Sequence, residues 1–228
     1  MYFQCTRGEV IRMESDATKR AEASFVELLK CSTTLEGQEL SDGTLLIGKL
    51  PARPDGIFQD AYLHEIYAPL GSSDIGALER TIGRTLPKPL ADFYMSANGL
   101  SIFCGSLSIR GFRPNMSRAD AARHPTSLSY GNKVEIPIGQ DESERIVFGF
   151  YADGDGYEVS ILPDQGDVVV LTPRRSTEPL KLWDSLSAFL KEEIQRMTKE
   201  FVKREGVCDP LNVLPVPVTV PGSLSGRP

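Results

Sequence analysis

Two clusters of acidic side chains are the residues of this chain whose type and spacing could do chemistry. The first cluster is the stretch DESE from Asp141 to Glu144. The second is the stretch DGDGYE from Asp153 to Glu158, which begins like a calcium-binding loop. An EF-hand needs an oxygen ligand at its fifth position, Gly at the sixth and Glu at the twelfth, whereas Tyr157, Glu158 and Asp164 stand there. Both clusters are typical of polar hairpin turns. Their acidic side chains could instead bind a basic partner protein. The candidate binding residues are Asp141, Glu142, Glu144, Asp153, Asp155 and Glu158.

The residues that usually carry catalysis or bind metals are few and isolated. The two histidines, His64 and His124, have no neighbouring Ser or Cys nucleophile motif and no HExxH spacing. The four cysteines form no CxxC pair, which excludes the usual thiolate metal and redox motifs. The segment from Gly43 to Leu50 has the GxxxxGK spacing of a phosphate loop, but Leu50 replaces the magnesium-ligating Ser or Thr, so a short buried strand is the better interpretation. We therefore predict no enzyme activity, no catalytic residue, no cofactor and no metal.

Charge and hydropathy restrict the partners and the compartment. The 228 residues carry a net charge of -6, which argues against nucleic-acid binding and favours a partner with a basic surface. No segment approaches eighteen consecutive apolar residues, and the N-terminus lacks the basic and apolar regions of a signal peptide. These features predict a cytoplasmic protein that does not interact with membranes.

The elements that must position these residues follow from periodicity and from Gly and Pro signals. Helical spacing predicts helices at 15–31, at 72–83 with Ser72 or Ser73 as cap, at 89–98 and at 184–206 with Asp184 as cap. Strands are predicted in LSIFCGSLSIRGF (two pieces), VEIPIG, RIVFGFYA, YEVSIL and DVVVLT, joined by loops short enough for antiparallel hairpins. One core is predicted to contain Leu86, Phe93, Leu100, Phe148, Trp183, Phe189 and Ile194.

The order of these elements resembles the SUKH superfamily, the group that includes the fungal Smi/Knr cell-wall synthesis regulators. The resemblance covers roughly residues 60 to 205 and depends on a Leu-Pro followed by an Asn-Gly, a strand meander and a closing helix preceded by Trp. The residues that carry this signature are Leu86, Pro87, Phe93, Asn98, Gly99 and Trp183. The resemblance implies an α+β fold, an antiparallel sheet meander packed against helices, with no known catalytic centre.

Two functions are compatible with this resemblance. Many bacterial relatives are immunity proteins that bind and neutralise polymorphic toxins, which implies a non-catalytic domain that occludes a toxin with a basic surface. The alternative is a regulatory interaction scaffold of the Smi/Knr type, for which the proline-rich tail would be the docking segment. We predict an N-terminal extension at 1–56, the SUKH-like domain at 57–206 and a flexible tail at 207–228, with five prolines after residue 208. The alternative for the tail is docking as an extended segment on an edge of the sheet.

Overall fold

The computed structural model describes residues 29, 36–50, 61–114, 124–134, 145–153, 156–174, 176, 178–207 and 210–217. The helix predicted at 15–31 lies outside these residues except for Leu29, which is helical and fully buried in the core. The predicted strand VEIPIG lies outside them after Val134.

One antiparallel sheet forms the centre of the molecule. Its nine described strands are hydrogen-bonded in chain order, each to the next, so the sheet is a meander throughout. The α+β fold predicted from the sequence is confirmed. The strands are β1 (Gly37–Glu39), β2 (Leu45–Lys49), β3 (Tyr62–Ile66), β4 (Leu100–Ile102), β5 (Leu107–Ile109), β6 (Ile146–Tyr151), β7 (Tyr157–Leu162), β8 (Val168–Pro173) and β9 (Lys181–Trp183).

The strand predicted in the segment 43–50 is β2, and it extends the sheet toward the N-terminus. It pairs with β3 through Ile47 opposite His64 and Lys49 opposite Tyr62. Residue 56, where we placed the end of the N-terminal extension, therefore falls between two paired strands of one sheet.

Four described α-helices pack on or beside the sheet. Three of them correspond to predicted helices, with ends that differ by a few residues, and the short helix at Leu128–Lys133 was not predicted. The four helices are α1 (Ser72–Ile82), α2 (Lys88–Ser96), α3 (Leu128–Lys133) and α4 (Leu186–Lys203). The N-cap of α1 is Gly71, whose N–H donates to the Asp74 carboxylate at 3.1 Å. The N-cap of α4 is Ser185 rather than Asp184, because the Ser185 hydroxyl accepts the N–H of Ala188 at 3.1 Å. None of these helices is long and apolar enough to cross a membrane.

The hydrophobic core joins residues of the sheet with residues of α1, α2 and α4 in one cluster. The Phe189 ring of α4 packs at 4.9 Å from Trp183 and at 5.9 Å from Phe148, both in edge-to-face geometry. All seven residues predicted to share one core do so, and none is more than 5% exposed: Leu86, Phe93, Leu100, Phe148, Trp183, Phe189 and Ile194.

The first half of the proline-rich tail is part of the fold, which corrects the prediction that the tail is flexible from residue 207. Leu214 is fully buried, and its N–H donates to the Ser106 hydroxyl at 2.8 Å. Val216 is 8% exposed, and its N–H donates to the Asp153 carboxylate at 3.4 Å. The prolines remove backbone donors, but Leu214 and Val216 lie between them and keep theirs, so residues 210–217 dock as an extended segment.

Candidate functional site

A row of polar and aromatic side chains crosses the face of the sheet opposite the core. Phe150 of β6 is in register with Glu158 of β7, which is in register with Thr172 of β8. Val159 and Leu171, the alternating neighbours of Glu158 and Thr172, belong to the core. Because successive side chains of a strand point to opposite faces, the row lies on the other side of the sheet.

This row borders a cleft of about 350 Å³. Glu158 is buried, with only 2% of its surface exposed, while the Tyr130 side of the cleft is open, with 44% of that residue exposed. The charged and aromatic residues that line the cleft from this face are Arg110, Tyr130, Phe150, Glu158 and Arg174. Tyr151 and Tyr157 also border it, but Tyr151 belongs to the core and Tyr157 packs against the core. The cleft therefore combines charged groups, one of them a buried carboxylate, with aromatic walls.

Arg110 follows β5 directly, and its backbone is fixed at both polar groups. Its N–H donates to the carbonyl of Phe148 at 2.7 Å, and its carbonyl accepts the hydroxyl of Tyr94 at 2.8 Å. The guanidinium lies 4.8 Å from the centre of the Phe150 ring, a cation–π contact. On its other side it passes Gly131 so closely that a Cβ there would lie 2.7 Å from Nε of Arg110. Gly131 therefore leaves the space in which this buried guanidinium lies.

Helix α3 brings Tyr130 and Gly131 to the cleft because Asn132 attaches the helix to β6. The Asn132 side chain accepts the N–H of Val147 at 2.9 Å and donates to its carbonyl at 2.9 Å. It thus acts as a strand partner where the register of β6 shifts between Val147 and Gly149.

The Asn-Gly of the predicted signature holds the segment that carries Arg110. Asn98 accepts the N–H of Phe112 at 2.6 Å and donates to its carbonyl at 2.8 Å. Gly99 has a φ of +86°, and a Cβ there would lie 2.5 Å from the carbonyl oxygen of Ile109. Asn98 and Gly99 together therefore fix the backbone on both sides of Arg110.

The other signature residues are structural. Pro87 is the N-cap of α2, and the N–H of Leu86 donates to the Glu79 carboxylate at 2.8 Å. Phe93 and Trp183 are 2% and 4% exposed within the core. These four positions set the entry to α2 and the packing of the sheet.

Electrostatics at the floor of the cleft centre on Glu158. Burial raises the pKa of Glu158, and the positive charges of Arg110 and Arg145 oppose that shift. Arg174 reaches it as an ion pair, with Nε 3.9 Å from Oε1. Burial also lowers the pKa of Arg110, opposed chiefly by Glu158. The pKa of Glu158 therefore stays above its ordinary value, and the arginines only reduce the rise that burial causes.

The acidic residues predicted to bind a partner do not form an exposed patch in the described part of the chain. Glu158 was placed in a turn, but it belongs to β7, where it is buried beside Arg110 and Arg174 at the floor of the cleft. Asp153 is half-buried and accepts the N–H of Val216. Four of the predicted residues lie outside the described ranges: Asp141, Glu142, Glu144 and Asp155.

Of the charged and aromatic cleft residues, sequence reasoning had named only Glu158 as a site residue and missed Arg110, Tyr130, Phe150 and Arg174. One signal was present for Arg110, which continues the strand LSI and precedes Gly111 and so interrupts an apolar run with a charge. The alternation in YEVSIL likewise places Glu158 on one face of a strand rather than in a turn. Nothing in the sequence near Tyr130 indicates its position, because that depends on how Asn132 attaches α3 to β6.

His64 is a structural residue of the core. It is fully buried, its Nδ1 accepts the N–H of Phe103 at 3.3 Å, and burial lowers its pKa to about 3. The imidazole is therefore neutral at physiological pH. Within the described ranges, no group of three or more His, Cys, Asp and Glu side chains is arranged to hold a metal ion.

Comparison with known proteins gives one family. The sequence profile of the SMI1/KNR4 family (SUKH-1) matches residues 69–192, more than half of the chain. This range includes α1 to α4 in part or whole, the strands β4 to β9 and every residue that we named at the cleft. In a comparison with curated proteins, nothing matches the chain. The chain belongs to the SMI1/KNR4 family (SUKH-1).

Proposed function

We propose that this protein is a non-catalytic binding domain that neutralises a cognate toxin in the cytoplasm of the cell that produces both. The observation that carries the proposal is the cleft, whose rim presents Tyr130 and Arg174 over a fixed polar floor. Tyr and Arg are the residue types most enriched among the energetically dominant contacts of protein interfaces. Family membership supports the choice of an immunity function among binding functions.

Neutralisation would occur by occlusion. A stable interface buries about 1,600 Å² in total, with 20 to 30 residues on each side, so the cleft supplies only its centre. Residues packed near such a centre are shielded from water by the surrounding contacts, which makes each of them more important to affinity. An inhibitor of this kind needs rigidity at the contact, and the backbone of Arg110 and helix α3 provide it.

Overall charge would assist the encounter. The net charge of -6 favours a toxin with a basic surface, because opposite charges raise the association rate at low ionic strength. The acidic side chains that steer the partner need not lie in the contact itself. In this proposal the acidic surface accelerates association, and the cleft determines how long the complex lasts.

The docked tail favours the cleft over the tail as the contact. Residues 210–217 are held by the folded domain through the buried Leu214, so this part of the tail is already occupied. A scaffold that bound partners through it would first have to detach it.

Co-expression tests the proposed function. Cells that express the toxin encoded beside this gene should survive when this protein is produced and die when it is not. Phe93→Ala, which truncates a core side chain, is the control for folding. Cells that produce this variant should survive only to the extent that the variant still folds. If cells die equally fast with and without the wild-type protein, the immunity function is wrong.

A further inference from the structure

The floor of the cleft contains a buried hydrogen-bond acceptor without a donor. Oε1 of Glu158 receives no hydrogen bond within the described structure, and the approach of Arg174 Nε stops at 3.9 Å. Buried carboxylate oxygens are almost always hydrogen-bonded, since burial removes the water that would otherwise donate to them. An acceptor of this kind that lines a cleft marks a place where a ligand can donate.

The charges around Glu158 decide what kind of donor fits. Arg110 and Arg174 line the same cleft, and the charge of Arg145 also acts on Glu158. The positive charges of three guanidinium groups therefore act on one carboxylate, and an additional Lys or Arg would enter a site of excess positive charge. An Asp or Glu carboxylate carries no proton to donate to Oε1. The donor that fits is uncharged.

The walls favour a flat group over a small hydroxyl. Phe150 lines the cleft beside Glu158, and Tyr130 stands at its opening. Aromatic walls pack best against planar groups, and a carboxamide is planar with two donors and one acceptor. Its carbonyl can face Arg174 at the rim, where a guanidinium carries five N–H donors.

We propose that the cleft receives an Asn or Gln side chain from the partner protein. The carboxamide N–H₂ donates to Oε1 of Glu158, and the carboxamide carbonyl accepts from Arg174. The inference rests on the proposed function, which supplies a protein partner, and it adds the chemistry of the group that enters the cleft. It also explains how an arginine-lined cleft can serve a basic toxin, because the group that enters is neutral.

Titration of the full chain with blocked amino acids tests the proposal. The probes are N-acetyl-glutaminamide, the matching lysine derivative and the matching glutamate derivative, added to ¹⁵N-labelled protein and followed by NMR. For a ligand of this size we expect a Kd on the order of 1 to 10 mM for the glutamine probe and at least about five-fold weaker binding for both charged probes. The shifts should concentrate at the backbone amides of Phe150, Tyr157 and Glu158.

A Glu158→Met variant removes the acceptor and keeps the length of the side chain. We expect the glutamine probe to lose its saturable shifts in this variant, with Met95→Ala as a control on an exposed helix position away from the cleft. If Glu158→Met does not fold, the selectivity of the wild-type chain among the three probes still tests whether the cleft prefers a carboxamide. Equal or tighter binding of the lysine or glutamate probe, shifts outside the cleft, or no saturable shift up to about 50 mM would overturn the proposal.

The two proposals fail separately. If co-expression protects cells but the glutamine probe does not bind, the toxin is neutralised through another contact and only the carboxamide inference is wrong. If the probe binds as expected but co-expression does not protect, the cleft chemistry stands and the immunity function is wrong.

Discussion

Truncation of Leu214 to Ala tests whether the tail belongs to the folded core. Leu214 is fully buried, with a relative solvent exposure of 0%. A Leu→Ala change at a buried site removes three carbon atoms and leaves a cavity, at a cost of about 2 to 5 kcal/mol. We expect about 3 kcal/mol, because the N–H of residue 214 keeps its bond to Ser106 in the variant.

Arg196 of α4 and Arg204, the C-cap of that helix, bind the same segment and indicate the effect of removing it altogether. Arg196 donates to the carbonyl of Pro215 at 2.8 Å, and Arg204 donates to the carbonyl of Val213 at 3.2 Å. A chain that ends at residue 209 loses these bonds as well as the buried Leu214. It should be destabilised at least as much as Leu214→Ala.

Urea unfolding followed by tryptophan fluorescence measures these changes, because Trp183 is the only tryptophan and lies in the core. For a protein of this size, about 3 kcal/mol corresponds to a fall in Tm of about 6 to 12 °C. The control is Leu211→Ala, the same substitution three residues earlier at a side chain that is 67% exposed, where a change within about 0.5 kcal/mol is expected. If Leu214→Ala and the chain that ends at residue 209 both unfold like the parent, residues 210–217 are not part of the core and this account of the tail is wrong.

Three further substitutions test the core, the cleft and the buried histidine. Phe93→Ala should cost about 3 to 5 kcal/mol in urea unfolding, since Phe93 is 2% exposed, and a Tm within a degree of the parent would contradict its placement. Gly131→Ala should destabilise the protein by about 1 to 3 kcal/mol because the new Cβ meets Arg110, whereas Gly76→Ala, whose Cβ has room in α1, should be neutral or stabilising by up to about 1 kcal/mol. Equal Tm values for the two glycine variants would contradict the packing of the guanidinium. Burial lowers the pKa of His64 from 6.5 to about 3, so the unfolded chain binds a proton between these pH values that the folded chain does not, and stability falls as the pH falls. Between pH 7 and pH 5 the parent should lose about 2 kcal/mol more than a His64→Gln variant, and identical losses in urea titrations would show that His64 titrates normally.

The fold was predictable because its signals are local. Alternating apolar residues and short polar loops define β6, β7 and β8, and the apolar stripe of α4 is continuous over five turns. The N-caps were predicted less well, since Gly71 and Ser185 each compete with neighbouring residues that could also cap. Docking of the tail was only the lesser alternative, because its prolines hide the contribution of a single buried leucine, Leu214, whose hydrogen-bond partner Ser106 lies about a hundred residues away.

The cleft was not predictable because it depends on side chains from distant parts of the chain. Arg110 follows β5, Tyr130 lies in α3 and Glu158 lies in β7, and only the sheet register and the Asn132 contact bring them together. The sequence did indicate that Asp153 and Glu158 flank one hairpin. It could not show that Glu158 faces a buried arginine, because that depends on which face of β7 meets the core.

Affinity for the toxin that the proposed function requires tests the central claim, that the cleft is the contact to a partner protein. The measurement compares the parent, Tyr130→Ala and Met95→Ala, which change two side chains of nearly equal exposure, 44% and 46%. Of these two residues, Tyr130 lines the cleft and Met95 does not. If the cleft is at the centre of the interface, Tyr130→Ala should raise the Kd at least about tenfold in calorimetry, and Met95→Ala should leave it within about twofold. A parent that binds the toxin while Tyr130→Ala binds it equally well would contradict the claim.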